Sequence, residues 1–423
     1  MSYKKVELDN GLKIACLRMP NRESVSLGIW INAGGRYETE KLSGVSHFLE
    51  HLVFRGTKRR SARKIKEAIE GVGGMLNAFT AEEFTCYFVK IPAGYLELSL
   101  DVLSDIVLNA RLDGEDLEKE RKIILEEIKM YLDLPMHYVH ELLNQLLWPK
   151  HPLGRFLCGT VESVSRIQRE EIVAYRDSFY QPQHINVIAC GAIDREKLVS
   201  LAKKYFSSLR RGERLSFNKV EIKQTKVQTN FMEKDTEQTH ISLGVHGLSR
   251  EHKDRYALAL LHIILGANMS SRLFEEVREK RGLAYEIGTH LKKFQDTGAF
   301  IINAGVEHKK VIEAIKVIIE ELRKIKKNPV KKSEFRRAKE YFTGQFLLSL
   351  EETMDHMLWL GENVTMLDKI YLPQEILDEL NKTKIEDIQL LANSLFKTSD
   401  LNLALIGPIS DKERREIENN LFL

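Results

Sequence analysis

The chain repeats itself once, and no other feature limits its architecture as much. Ser26-Leu27-Gly28 recurs as Ser242-Leu243-Gly244. Ile185-Asn186-Val187-Ile188-Ala189-Cys190-Gly191 is matched by Leu401-Asn402-Leu403-Ala404-Leu405-Ile406-Gly407. Both pairs stand at an offset of 216 residues, and Phe206 and Phe422 close the two segments at the same spacing. Two matches at one offset, near opposite ends of a unit, predict two homologous domains. Their expected bounds are 1–210 and 220–423, joined by a linker at 211–219 that takes in most of the polar run Arg210-Arg211-Gly212-Glu213-Arg214.

Strand and helix patterns alternate within each half. Ser24–Ala33 is rich in Val, Ile and Trp and reads as a strand, as do Phe84–Ile91, which stops at Pro92, and Val187–Cys190. Ser61 and Gly71 bracket a helix as cap and stop. Further helices are expected at Gly94–Asn109, at Asp113–Tyr131 and from Cys190 on to Phe206. Asp113, Glu115 and Asp116 suit the positive end of the second of these. In the second half helices are expected at Arg255–Leu265, His308–Lys324 and Lys332–Ser349. The mixed order predicts the α+β class: in each domain, a mixed β-sheet with helices packed on it.

Composition excludes several functions. With 64 basic and 61 acidic residues the formal net charge is only +3, against the basic excess on which nucleic-acid affinity rests. Hydrophobic residues make up 43%, too many for a disordered chain, and no apolar run approaches the ~18 residues of a membrane span. The N-terminus shows neither an apolar signal core nor an Arg/Ser-rich transit segment. Cys16, Cys86, Cys158 and Cys190 are scattered in apolar contexts, as expected of free thiols in the reducing cytoplasm.

The chemistry gathers at His47-Phe48-Leu49-Glu50-His51. On a helix, residues four apart share a face, so both imidazoles can reach one ion, and Glu50 on that face can deprotonate a water beside it. The order His-x-x-Glu-His is the inverted zincin motif. The apolar neighbours Val45, Phe48, Leu49, Leu52 and Val53 predict a buried helix and a partly dry site. A catalytic zinc wants a third protein ligand. Glu120 and Glu127 stand two turns apart on one face of the helix Glu118–Ile128, and the pattern alone does not choose between them.

The chain resembles the pitrilysin superfamily of zinc peptidases over essentially its whole length. The likeness is greatest to the short-chain branch, the mitochondrial processing peptidases and their bacterial relatives. It rests on His47 through Thr57, Leu76-Asn77-Ala78-Phe79-Thr80, Glu126 through Tyr131, and His151-Pro152-Leu153-Gly154. The family's ligand glutamate follows the second histidine by about 76 residues, which falls on Glu127, and a second family glutamate seven residues earlier falls on Glu120. The resemblance implies a metalloendopeptidase with one Zn2+ per chain held by His47, His51 and Glu127. Glu50 would be the general base, and Glu120 would orient the ligands. Asn77, Ala78 and Phe79 would form the edge strand to which a peptide substrate adds, and Phe54 would line an apolar pocket.

The second half keeps no ligands. Leu261 to Ala267 replaces the histidine motif, and Thr343 or Gln345 stands near the place of Glu127. The family's Arg and Tyr pair, seven positions apart, matches Arg278 and Tyr285. The resemblance implies that these face the zinc across a closed chamber, and that a homodimer completes each site in trans. Only Leu265-Gly266-Ala267-Asn268-Met269 remains of the long glycine loop of the noncatalytic processing subunit. The alternative is a noncatalytic core or partner subunit of a processing-peptidase-like complex. Relatives of that kind lose the motif that this chain keeps. Substrate choice stays open: Asp133 and Glu141 supply part of an acidic pocket, but His137 and His140 stand among them.

Overall fold

The computed structural model describes residues 3–213 and 216–423. Met1, Ser2, and the linker residues Arg214 and Leu215 lie outside the described residues. Two sheets form, one in each expected half. The first contains β1 (Tyr3–Glu7), β2 (Lys13–Arg18), β3 (Ser24–Ile31), β4 (Met75–Thr80), β5 (Thr85–Pro92) and β6 (Ile185–Gly191), in the order β1-β2-β6-β3-β5-β4. The second contains β7 (Gln228–Glu233), β8 (Thr239–Gly247), β9 (Ala284–Lys293), β10 (Gly298–Val306) and β11 (Asn402–Gly407), in the order β7-β11-β8-β10-β9. Each has one parallel pair, β2 with β6 and β7 with β11, and is otherwise antiparallel. The class is α+β, and the plan is the same twice, with β1 added to the first sheet.

The repeated residues sit on matching strands, but their pairing has slipped. Ser26 faces Cys190, whereas Ser242 faces Ala404, the counterpart of Ile188. A slip of two residues keeps every side chain on its own face, so both halves tolerate it.

The helices follow the sequence closely. They include α1 (Val45–Val53), α2 (Ala62–Glu70), α3 (Leu96–Asn109), α4 (Gly114–Asp133) and α5 (Pro135–Leu147). The Ser61 hydroxyl accepts from the Lys64 N–H and caps α2, with Gly71 at its end. The expected helix starts at Gly94 and His308 are instead short 3₁₀ turns, and the helices proper begin at Leu96 and Val311.

The compact units are not the contiguous halves 1–210 and 220–423. One comprises the chain up to Lys129, Arg155–Asn218 and Leu347–Leu372, and the other comprises Met130–Gly154, Lys219–Phe346 and Pro373–Leu423. The reason is sheet burial. All of β3 from Val25 to Ile31 is buried, so both faces of the first sheet need cover. In the first unit α3 packs against β3 and β5. The helix Thr353–Leu367 packs against β2, β3 and β6, burying Met357, Leu360 and Val364 against Trp30, Leu17 and Ile188. Each such side chain contributes about 1.5–3 kcal/mol. Thr353 Oγ1 bonds the Ser26 hydroxyl at 2.9 Å, and the Asn186 amide donates to Thr365 Oγ1 at 3.2 Å. In the second unit α5 packs against β8 and β11, burying Leu142, Leu143 and Leu147 near Ile301, Ala404 and Ile406.

This packing gives the repeat a physical cause. A Cβ on Gly28 would lie 2.7 Å from Met357 Sδ, and one on Gly244 would lie 3.0 Å from Leu143 Cδ2. In each unit the glycine lets a helix come close to the sheet. The helix comes closer still at Gly361, where a Cβ would lie 2.1 Å from Trp30 Cε2. Gly361→Ala is therefore expected to lower stability by about 1–3 kcal/mol through overpacking. Gly344→Ala, in a helix with nothing within 4 Å of the new methyl group, should raise it by up to about 1 kcal/mol. Thermal unfolding of the two variants beside the parent chain checks both.

Candidate metal centre

Helix α1 carries His47, Glu50 and His51, and Val45, Phe48, Leu49, Leu52 and Val53 bury its other side. Helix α4 buries Ile124 and Ile128, which turns Glu120 and Glu127 along one line. The Glu127 Oε2 atom lies 3.8 Å from His47 Nε2 and 3.8 Å from His51 Nε2. The three candidate donor atoms lie within 4.8 Å of one another. Ligands about 2.0–2.2 Å from a tetrahedral zinc stand about 3.3–3.6 Å apart, so the set needs only a small contraction. Among the described residues it is the one such cluster of three His, Cys, Asp or Glu side chains.

Glu120 sits elsewhere on the same histidine. Its Oε2 is 2.9 Å from His51 Nδ1, and its Oε1 is paired with the Arg55 guanidinium. That contact fixes the His51 ring and leaves Nε2 toward Glu127. His47 is held neutral: burial, and then the charge of His51, bring its pKa down to about 3. A neutral imidazole keeps the lone pair that a metal requires. Burial pushes the Glu50 carboxyl above its usual range, and the Glu127 charge adds to the rise. The Thr80 hydroxyl, donating to Glu50 Oε2 at 2.5 Å, and His51 act in the opposite sense.

The other expected residues are placed as follows. Asn77, Ala78 and Phe79 lie on β4, the edge strand of its sheet. Asn77 is exposed, and its side-chain oxygen accepts from the Ala78 N–H. The Phe79 ring stands edge-on to Trp30, Phe84 and Phe88. Phe54 ends α1 half-buried, its ring centroid 6.3 Å from that of Tyr87. Arg278 and Tyr285 stand together in the second unit. The guanidinium lies 4.7 Å from the Phe274 ring centroid and 5.6 Å from that of Tyr285, which is 75% exposed. Arg278 belongs to a π-helical turn, Phe274–Glu279. Asp133 is not a free acid, since Lys234 lies 3.7 Å from it. Burial lowers the His140 pKa to about 4, so this imidazole adds no positive charge near neutral pH.

Arg55 and Thr80 were not singled out by spacing or periodicity. Each acts on a site carboxylate from a different segment, and the sequence carries no local sign of either contact.

Comparison with known proteins adds an independent line. Residues 13–161 match the family model described as Insulinase (Peptidase family M16), and residues 166–342 match the one described as Peptidase M16 inactive domain. The chain is 36% identical over 405 residues to an uncharacterized zinc protease of Bacillus subtilis, covering 96% of this chain and 98% of that protein. It is 34% identical over 412 residues to another from Mycobacterium leprae, covering 97% and 92%. The crystal structure of a protease from Helicobacter pylori superposes with a TM-score of 0.91 at 24% identity, covering 96% of this chain and 99% of that one.

The donor set makes a thermodynamic prediction. Zn2+ at about 100 times its Kd should stabilise the protein by about 2.7 kcal/mol. Differential scanning fluorimetry with and without Zn2+ should show this as a rise in Tm, and His47→Ala should abolish the rise.

Proposed function

This chain belongs to the insulinase family of peptidases, peptidase family M16, and on that premise we propose that it is a zinc metalloendopeptidase acting on unstructured peptides. The observation that carries this reading is the convergence of His47 Nε2, His51 Nε2 and Glu127 Oε2 beside the carboxyl of Glu50. His47, His51 and Glu127 hold one Zn2+ per chain, and Glu120 with Arg55 keeps His51 aimed. When bound, zinc supplies Lewis acidity toward a carbonyl oxygen and toward water.

The chain's own residues do the rest. Glu50 takes the proton of the attacking water and passes it to the leaving amine. Its raised pKa brings it nearer to working pH and suits both transfers. Thr80 fixes the carboxylate through one oxygen and leaves the other for this task. A substrate strand adds to the open edge of β4 at Asn77, Ala78 and Phe79, using backbone pairing that is largely indifferent to sequence. Phe54 offers an apolar wall for a substrate side chain. Arg278 and Tyr285 hold substrate carbonyls and developing negative charge. Their site is that of a homodimer, in which the second domain of one chain serves the zinc of its partner. The four cysteines are free and buried, which suits the cytoplasm. The alternative, a noncatalytic core or partner subunit, leaves the retention of Glu50 and all three donors without a use.

Two experiments test the reading. Glu50→Gln should keep zinc and lose about 10²–10⁴-fold in turnover of a quenched unstructured peptide, and a chelator should silence the parent enzyme. Full activity of either would falsify the assignment. Mixing inactive Glu50→Gln chains with Tyr285→Phe chains should restore activity, because subunit exchange then makes one intact site. No recovery after demonstrated exchange sinks the trans arrangement.

A further inference from the structure

The helix that carries His47 and His51 has no side-chain cap at its own N-cap position. Gly44 occupies the N-cap position at φ 92°, ψ 0°, with no side-chain cap. A Cβ there would lie 2.6 Å from the Cys158 carbonyl oxygen, so the usual capping residues are excluded. The Ser43 hydroxyl, one residue earlier, is buried and has no hydrogen-bond partner among the described residues. Two of the N–H groups at the start of the helix go to Glu38 instead. Its Oε2 accepts the Gly44 N–H at 2.7 Å, and its Oε1 accepts the Ser46 N–H at 2.8 Å. Glu38 is 5% exposed, and a buried carboxylate is costly to keep unless its bonds matter.

The clamp is itself anchored. The Arg155 guanidinium donates to the Glu38 carbonyl at 2.9 Å. Two residues before Glu38, the buried Arg36 pairs with Glu83 at 2.7 Å and lies 3.8 Å from the Phe217 ring centroid. The clamp ends one residue before His47. The two histidines also differ in support. His51 Nδ1 is held by Glu120, whereas His47 Nδ1 is buried with no hydrogen-bond partner among the described residues. The aim of the His47 ring thus depends on packing and on the backbone of the first turn.

We propose that Glu38 is a positioning residue for the metal centre: by bridging the Gly44 and Ser46 N–H groups it sets the first turn of α1 and, through it, the His47 imidazole. The inference rests on the reading that His47, His51 and Glu127 hold zinc. Glu38→Gln is the direct test, because it keeps the shape but offers one acceptor oxygen and turns an NH2 toward the other backbone N–H. Competition with a chromogenic chelator should show zinc binding about 10- to 100-fold weaker, as for other outer partners of metal ligands. The kcat should fall with KM little changed. Tyr175→Phe, which removes the 2.8 Å partner of the Ser46 hydroxyl but leaves both carboxylate bonds, should bind zinc as the parent does. A Glu38→Gln protein with a lower apo Tm but parental zinc affinity overturns the proposal and leaves Glu38 a purely structural cap. A parent chain that binds no zinc overturns the underlying reading instead. Hydrogen exchange on the metal-free parent decides the matter if Glu38→Gln does not fold. The Gly44 and Ser46 amides should be protected like those of β3, and exchange at open-loop rates would rule the clamp out.

Discussion

A sheet buried on both faces needs two covers, and the rest of this molecule follows from that need. In β3, Ser26, Gly28 and Trp30 turn to the helix Thr353–Leu367, while the alternate residues pack toward α3. Period-two alternation makes each face a separate packing problem. The first half of the chain solves one of them with its own helices, and a segment from the far end of the sequence solves the other. The second unit does the same with α5. The chain therefore folds as two compact units that each draw on both halves of the sequence. Cleaving or deleting one half would strip a cover from the sheet of the other.

At the site the governing quantity is the cost of buried charge. Each ionisable group near α1 is matched by a partner or held neutral. Glu120 lies between His51 and Arg55, Glu38 takes two backbone N–H groups, and His47 is kept uncharged by burial. Burial raises the carboxyls of both Glu38, to about 7, and Glu50, where the Thr80 hydroxyl holds one oxygen. Glu50 stands on α1 between His47 and His51, and that position, more than any shift, suits it to exchange a proton.

Much of this was legible in the residues. The histidine motif sits on a buried helix because its apolar neighbours repeat at helical spacing. Ser61 and Gly71 bound α2 because capping chemistry is local. The seven-residue step from Glu120 to Glu127 put both on one face, yet it could not say which meets which nitrogen of His51. That depends on how α4 approaches α1. Arg55, Thr80 and Glu38 carry no such local sign for the same reason: Arg55 meets a separate helix, Thr80 reaches Glu50 from a strand, and Glu38 reaches its amides across a turn. The contiguous domain bounds at 210 and 220 located the two sheets but not the two units, since nothing local marks Thr353–Leu367 as the cover for a sheet whose strands all lie in the other half of the chain.

The sequence by itself determined what is periodic or adjacent: the doubled plan, the class of fold, the helix that carries two histidines and a glutamate, and the loss of that set from the second half. Local backbone geometry and side-chain spacing fix those features wherever the segment lies. Only the tertiary structure decided what depends on distance between segments. It set which helix covers which sheet face, the two-residue slip between the repeats, and the division of labour between Glu120 and Glu127. It also placed the clamp of Glu38 on the turn that presents His47. These rest on packing and desolvation, which act between surfaces and have no spacing along the chain.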